Sequence, residues 1–367
     1  MAYYNGKKVM AVVDYKPAIL IEKEITKGGE YNASDDNADG YSKVIVGAVK
    51  PEGNPLQDVI DNREGDGVPS CKYLFYQYLG TSLDSAISTI DTSNVTNMSA
   101  MFYSCENLTS IPEFDTSNVT NMYNMFYYCR KLTTIPQLKT SNVTNMEYMF
   151  YFCKNLTSIP ELDTSNVTNM SAMFYSCENL TNVSFSDTSK VTKMNSLFAS
   201  CSKLTSISGM DTSNVTSMEQ TFQHCTSLSN IPELNTSKVT YMREMINGCS
   251  KLTTIPLLDT SNVTNMGSMF AYCSRLESVP ELDASKCTSF SGMFDGCSKL
   301  NSIGMYGFTR SIDISSTALG HDAIVAFLNQ AGTAYNSSQK ITMGSAKLAL
   351  LSNEEKAIAT NKGWTLA

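Results

Sequence analysis

From residue 91 onward the apolar residues return on a fixed beat. Val95, Met98, Phe102, Cys105, Leu108, Ile111 and Phe114 have counterparts in copies that begin at residues 115, 139, 163, 187, 211, 235, 259 and 283, with no insertion or deletion. An unbroken 24-residue period across nine copies marks a solenoid, in which each copy is one coil that buries its apolar side against its neighbours. Counted from the opening Asp91 as position 1, the apolar positions are 5, 8, 12, 15, 18, 21 and 24. The steps of 3, 4 and 3 between positions 5 and 15 predict a helical face. The stretch from Leu108 to Phe114, with β-branched Thr109 and Ile111, predicts a short strand cut off by Pro112, which has no amide proton to donate. Each coil therefore reads as a helix or helical turn plus a strand, and the stack as an α/β solenoid with one parallel sheet along one face.

The flanks follow other patterns. Residues 51–90 predict a linker and an N-terminal cap. There, LQDVIDNREGDG reads as a helix and turn, and Cys71, Leu74, Tyr78, Ile87 and Ile90 fall on positions 5, 8, 12, 21 and 24 of an imperfect coil. Residues 307–367 predict an α/β cap: a strand around Ile312 and Ile314, a helix over 321–330, a strand over 340–343, and a helix over 352–361 capped by Ser352 and stopped by Gly363. Caps are needed because an end coil otherwise exposes its apolar cross-section. Residues 1–50, with Val-, Ile- and Tyr-rich alternation around NGKK, KGGE and DDNADG, predict a small separate β module.

The DTSNVTNMSxMFxxC run and the L-x-x-I-x-x-L segment resemble the BspA-like leucine-rich repeat surface proteins over residues 91–306. That resemblance implies a right-handed, leucine-rich-repeat-like coil of nine repeats used for adhesion, with no catalytic residues to carry over. The N-terminal segment ITKGGEYNASDDNADGYSKVIVGAV resembles a short module of tail- and baseplate-associated proteins of phages and prophages of gut bacteria. The closing KAIATNKGWTLA resembles the ending of repeat proteins from the same setting. Those two resemblances imply a virion component that meets other tail or particle proteins through residues 1–50. The start of the chain does not read as a secretory signal, which fits a protein released by lysis. The alternative is a bacterial cell-surface adhesin.

Charge and cysteine content narrow the chemistry. A formal net charge of −8 offers no basic face for a phosphate backbone, so nucleic acid is not an expected partner, and no apolar run is long enough to insert in a membrane. Of the eleven cysteines, nine form a column at position 15, the first Cys105 and the last Cys297; they are expected as reduced core thiols, since side chains pointing the same way cannot bridge. The Asp column of Asp91, Asp115, Asp163, Asp187, Asp211, Asp259 and Asp283 is interrupted by Lys139 and Asn235 with no change of register, which favours turn capping over calcium ligation. The Asn-Val-Thr tripeptides match the glycosylation sequon and read as turn residues. No cofactor and no metal is expected.

Aromatic residues carry the candidate site. On the helical reading, position 13 lies about 100° from the buried Phe, so Tyr103, Tyr127, Tyr151 and Tyr175 should form an exposed ladder, with Tyr123, Tyr128, Tyr148 and Phe152 crowded beside it. Such rings can bury area on a sugar or peptide, or they can simply shield neighbouring coils. The two histidines, His224 and His321, have no evident nucleophile partner, and no Gly-rich phosphate loop or nucleophile elbow is present, so the chain is not expected to be an enzyme. The expectation is a non-enzymatic binding protein, a phage or prophage tail component that contacts a bacterial surface glycan or protein. A purely structural spacer is the other reading.

Overall fold

A computed structural model describes four short strands within residues 1–50, then residues 57, 60, 61, 68–83, 87 and 90–367. The chain forms two compact units, Met1–Val167 and Thr168–Ala367, each taken by itself below.

In the first unit β1 (Ala2–Tyr4) pairs antiparallel with β2 (Lys7–Val9), and β3 (Ala18–Leu20) pairs parallel with β4 (Ser42–Val44). The rest of the expected β module, and most of the helix expected over 56–67, lie outside the described residues.

The coils are stacked, but their first half is not a helix. From Met98 to Cys105 the chain makes overlapping turns in which every second amide closes on the carbonyl three residues back: Met101 on Met98 (3.2 Å), Tyr103 on Ala100 (3.1 Å) and Cys105 on Phe102 (3.2 Å). The amides between them donate to the next coil, Ala100 to Tyr123 (2.7 Å), Phe102 to Met125 (2.9 Å) and Ser104 to Tyr127 (2.6 Å). This alternation requires left-handed backbone at positions 10 and 14, seen at Ala100 (φ 52°) and Ser104 (φ 56°). A spacing of 3, 4 and 3 is thus produced by turns that bond between coils rather than by an i−4 ladder. The second unit repeats the arrangement, with Gln220 bonded to Arg243 (3.0 Å) and His224 to Asn247 (2.7 Å).

The expected continuous sheet at positions 18–24 is also corrected. Parallel bridges run instead at position 7, through Ser70, Asn97, Asn121 and Asn145 in the first unit and from Asn169 to Ser289 in the second. Named strands in the second half of the coil form at two places. β5 (Asn182–Ser184) pairs with β6 (Ser206–Ser208), where serine replaces the proline of position 22 and restores an amide. β7 (Ser278–Asp283) pairs with β8 (Ser302–Tyr306) through a register shift between Val279 and Leu282, around Pro280. Gly304 is needed opposite it, because a Cβ there would lie 2.8 Å from the Pro280 carbonyl carbon.

Core positions 5, 8, 12, 15 and 18 are sealed from solvent, and position 11 joins them: Met101, Met125 and Met149 are all at 0% exposure, so this methionine column is core. The phenylalanines form flat stacks, Phe102 on Phe126 at 5.2 Å and Phe126 on Phe150 at 5.4 Å. The column cysteines are buried, and the thiols of Cys105, Cys129, Cys153, Cys201, Cys225, Cys249, Cys273 and Cys297 donate to the position-12 carbonyl of the preceding coil, as from Cys129 to Phe102 (3.1 Å) and from Cys201 to Phe174 (3.0 Å). Burial pushes the thiols of Cys129, Cys153, Cys201, Cys225, Cys249, Cys273 and Cys297 above their ordinary pKa, to about 12 at Cys297, so these are unreactive donors. Thr221 stands in the methionine column and obeys the same rule, donating its hydroxyl to Met194 (3.1 Å).

The polar columns bind coil to coil. Asp91 accepts the Ser93 amide (2.9 Å) and Asp115 that of Ser117 (2.9 Å), turns that hold both carboxyls below their ordinary range. The sequon asparagines are engaged likewise: Asn118 donates to the Ser93 carbonyl and Asn142 to that of Ser117, each at 2.7 Å.

The imperfect coil before residue 91 sits in a different register from the one expected. Cys71 bonds to Asn97, Phe75 stacks on Phe102 (5.5 Å), and Cys105 donates to Phe75, so Cys71 and Phe75 occupy positions 8 and 12. The step from Cys71 to the next position 8, Met98, is longer than the 24-residue period, which displaced the alignment read from apolar spacing alone.

At the other end, β9 (Ile312–Asp313), β10 (Lys340–Thr342) and β11 (Thr365–Leu366) make a parallel sheet in the order β11-β10-β9. Around it lie α1 (His321–Gln330), α2 (Gly344–Leu348), which was not expected, and α3 (Asn353–Thr360), whose cap Ser352 and Glu355 form a reciprocal capping box. Phe308 lies against Phe327 (4.8 Å), Trp364 (5.5 Å) and Phe290 (6.5 Å), which covers the apolar end of the last coil. Among the described residues no helix is long and apolar enough to cross a membrane.

Candidate aromatic contact surface

Left-handed backbone at positions 10 and 14 decides how the outward side chains are grouped. On a helix, positions 13 and 14 would diverge; here left-handed backbone at Tyr128 (φ 61°) and Phe152 (φ 60°) lets both neighbours stand half-exposed on the same side of the coil. Tyr148, also left-handed (φ 56°), joins them from position 10.

Seven of the eight expected residues lie in the first unit and form one connected cluster. Tyr103 stacks on Tyr127 at 4.5 Å and Tyr127 on Tyr151 at 4.7 Å. Beside this ladder Tyr128 stacks on Phe152 at 4.7 Å, with Tyr127 tilted toward Tyr128 at 4.8 Å. Tyr148 meets Tyr151 edge-on at 5.5 Å, and Tyr123 meets Tyr148 edge-on at 6.0 Å. Tyr175, the eighth, is half-buried in the second unit. The ladder gains a member that the sequence reading missed: Tyr76 stacks on Tyr103 at 5.0 Å. Its signal was the aromatic run around Phe75, hidden by the register of the imperfect coil.

The ladder is half-buried rather than exposed. Ring faces are consumed by ring faces, so the surface presents edges and phenolic hydroxyls. Burial, followed by the neighbouring Tyr103 and Tyr128, pushes the Tyr127 hydroxyl up to about 12. Tyr148 is raised as well, by burial first and then by Glu147 and Tyr123.

Cations border one edge. The Arg130 guanidinium lies 4.9 Å from the Tyr128 ring centre, and the Lys154 ammonium 5.4 Å from that of Phe152. Arg130 also meets Glu106 at 3.7 Å, and Lys131 donates to Asn107 at 2.9 Å.

Among the described residues no group of three or more His, Cys, Asp or Glu side chains could hold a metal. His321 is bonded to Asp322 (2.7 Å) and Glu355 (2.9 Å) at the start of α1, an arrangement that ties α1 to α3 with no nucleophile in it.

Comparison with curated protein sequences gives no match. Among solved structures the chain is similar to a leucine-rich repeat protein from Bacteroides ovatus, at 23% identity and a TM-score of 0.36, covering 57% of this chain and 58% of that one. It is similar too to a leucine rich cell surface protein from Faecalibacterium prausnitzii (18% identity, TM-score 0.28, 63% and 80% covered). A leucine-rich repeat protein from Eubacterium ventriosum gives the same identity and TM-score, with 63% and 82% covered. The chain spans less than two thirds of the Bacteroides protein. A family profile matches over residues 69–183, 153–255 and 227–323, well over half of the sequence, and by that match the chain belongs to the family described as "Mycoplasma protein of unknown function, DUF285".

Proposed function

We propose that this chain is a non-enzymatic binding protein of the adhesin type, whose coils contact a glycan or protein on a bacterial surface through the aromatic cluster of the first unit. The observation that carries this reading is the placement of Tyr128, Tyr148 and Phe152 on left-handed backbone. Bulky residues avoid that region, at a cost of roughly 1–3 kcal/mol each. Elsewhere the same two positions hold small or polar residues such as Ala100, Ser104, Ser196, Ser200, Gln220 and Gly248, with single rings at Tyr73 and Tyr272 that have no aromatic neighbour of their own at the adjoining coil's position 14. The coil does not need rings there, so their retention points to contact with something outside the chain.

The test is attachment of the labelled chain to bacterial cells after serine replaces Tyr127, Tyr128, Tyr151 and Phe152. Loss of four aromatic anchors should weaken attachment on the order of a hundredfold, while the core leaves the fold intact. Attachment at the wild-type level removes the cluster from the contact and leaves the spacer reading.

Two placements fit this activity. The likeness of residues 25–49 to tail-associated modules favours a phage or prophage particle, with residues 1–50 held by other particle proteins. The surface-protein likeness of residues 91–306 favours display on a bacterial cell, and the right-handed winding belongs to that same likeness. Proteomics of purified particles separates the two: the chain's absence from them removes the first.

A further inference from the structure

We propose that the cation-bordered edge of the aromatic cluster is a subsite for a carboxylated polysaccharide, a uronic acid polymer laid along the coil stack. This rests on the binding role above and names the ligand class.

Three observations lead there. The first is that ring faces are unavailable. Tyr127 is sandwiched between Tyr103 and Tyr151, and Tyr128 lies on Phe152, so the stacking platform that a neutral sugar face would use is already filled. What remains is ring edges and hydroxyl groups, which suit a hydroxyl-rich ligand.

The second is charge. In a chain of net charge −8, Arg130 and Lys154 occupy the same coil position one step apart, each over the ring of position 14, with Lys131 exposed beside them. The carboxylate facing Arg130 is Glu106 at 3.7 Å, with both side chains about half exposed, a loose contact that a ligand carboxylate can displace. Glu147 lies beside Tyr148, toward position 9, and so repels an acidic ligand from that side and directs its charge toward position 16.

The third is period. The rings repeat every 4.5 to 5.0 Å, one phenol per coil. An extended peptide advances about 3.3 Å per residue, or about 6.6 Å per same-face pair, and falls out of step within two coils. An extended pyranose chain advances by about one ring per coil. A polymer with one carboxylate per sugar then meets a ring edge at each step of the ladder and a cation at two successive steps, Arg130 and Lys154.

The experiment uses the full chain and galacturonate oligomers, with their fully methyl-esterified forms as the neutral counterpart, measured by calorimetry at low and high salt. The acid oligomer should bind, and the ester should bind at least about tenfold more weakly. Replacing Arg130, Lys131 and Lys154 together by Ser should lower affinity for the acid by about tenfold or more and flatten its salt dependence, with an unchanged melting temperature. Equal binding of acid and ester, or an unaffected triple variant, overturns the proposal. So does tighter binding of a phosphodiester-linked polymer or of an acidic peptide. If the chain attaches to cells through the aromatic cluster yet binds neither oligomer, the ligand class is wrong and the binding role stands; if the serine cluster variant attaches normally, the binding role itself has failed.

Discussion

At the outward positions 9, 10, 13 and 14 the coils of residues 123–152 in the first unit and those of residues 219–248 in the second carry opposite chemistry on the same backbone. The first unit has Tyr123, Tyr127, Tyr128, Tyr148, Tyr151 and Phe152, packed ring on ring. The second has a polar net at those positions: Glu244 accepts from Gln220 (2.8 Å) and Gln223 (2.6 Å) and pairs with Arg243, which also reaches Glu219 (3.2 Å). Neither set alters the inter-coil bonds, Ala100 to Tyr123 in one and Gln220 to Arg243 in the other. The inward columns and the backbone ladder specify the coil, and the outward positions are left to be chosen for other reasons. That separation is the physical basis for looking for function there.

The largest expected effect tests whether the two cores are equivalent. Phe126 lies between Phe102 and Phe150, and Phe198 between Phe174 (5.6 Å) and Phe222 (6.0 Å), all fully buried. Replacing either by Ala leaves a cavity and should cost about 3–5 kcal/mol in urea unfolding. A much smaller loss in one unit breaks the equivalence and shows that its coils relax into the void.

That equivalence was legible in the sequence, since an unvarying register leaves Val95, Met98, Phe102, Cys105 and Leu108 only one way to superpose on their counterparts. The turn geometry was not. A helical face and a run of overlapping turns place apolar residues at nearly the same spacing, and the feature that separates them is left-handed backbone at positions 10 and 14. Glycine would have revealed it, but glycines reach these positions only at Gly248, Gly292 and Gly296, while Tyr128, Tyr148 and Phe152 mask it. Seven of the expected rings do meet in the first unit, because register alone leaves positions 9, 10, 13 and 14 outside the inward columns. The half-buried, face-to-face state of the cluster depends on the left-handed backbone at positions 10 and 14 and so could not be read.

A swap at position 14 comes next in size. Gly248 has φ 75°, and a Cβ there would lie 2.3 Å from Nδ1 of His224, so Gly248→Ala should cost about 1–2 kcal/mol. Phe152→Gly in the first unit relieves backbone strain while losing its stack on Tyr128, terms of about 1 kcal/mol each that nearly cancel. Stability near wild type for Phe152→Gly, read from denaturation midpoints, would show that this ring contributes little to the fold. A loss as large as that of a core residue would assign the cluster to stability after all.

One component of the alkaline limb comes from the ladder of the first unit. Tyr127, raised to about 12, is neutral in the folded chain where an unfolded tyrosine ionises near 10. A raised folded pKa stabilises below the unfolded value and is lost as pH rises through the folded one, so this contribution fades between about 10 and 12. The ring is largely exposed to solvent screening, which holds the effect below about 1 kcal/mol. Phenolate absorbance in Tyr127→Phe should lack the latest-titrating component of the wild type; an unchanged titration curve would break the assignment.

The smallest effect is confined to the second unit, which holds both histidines, His224 and His321. His321 is raised above 6.5, first by its hydrogen bond to Asp322 and then by Glu355, so its contribution is complete below 6.5 and is lost as pH rises through the folded value. Glu355 is lowered below 4.5, first by the Ser352 amide of the capping box, so its contribution is present above 4.5 and is lost as pH falls through its folded value. The tie between α1 and α3 is therefore fullest between about 4.5 and 6.5. Amide exchange in α3, corrected for its intrinsic pH dependence, should slow as pH falls from about 8 to about 6, and His321→Gln should abolish that change while the coils of the first unit keep the same protection in both proteins. Equal pH dependence in the variant would mean that α3 is held by its capping box and by packing alone, with the histidine a bystander at the surface.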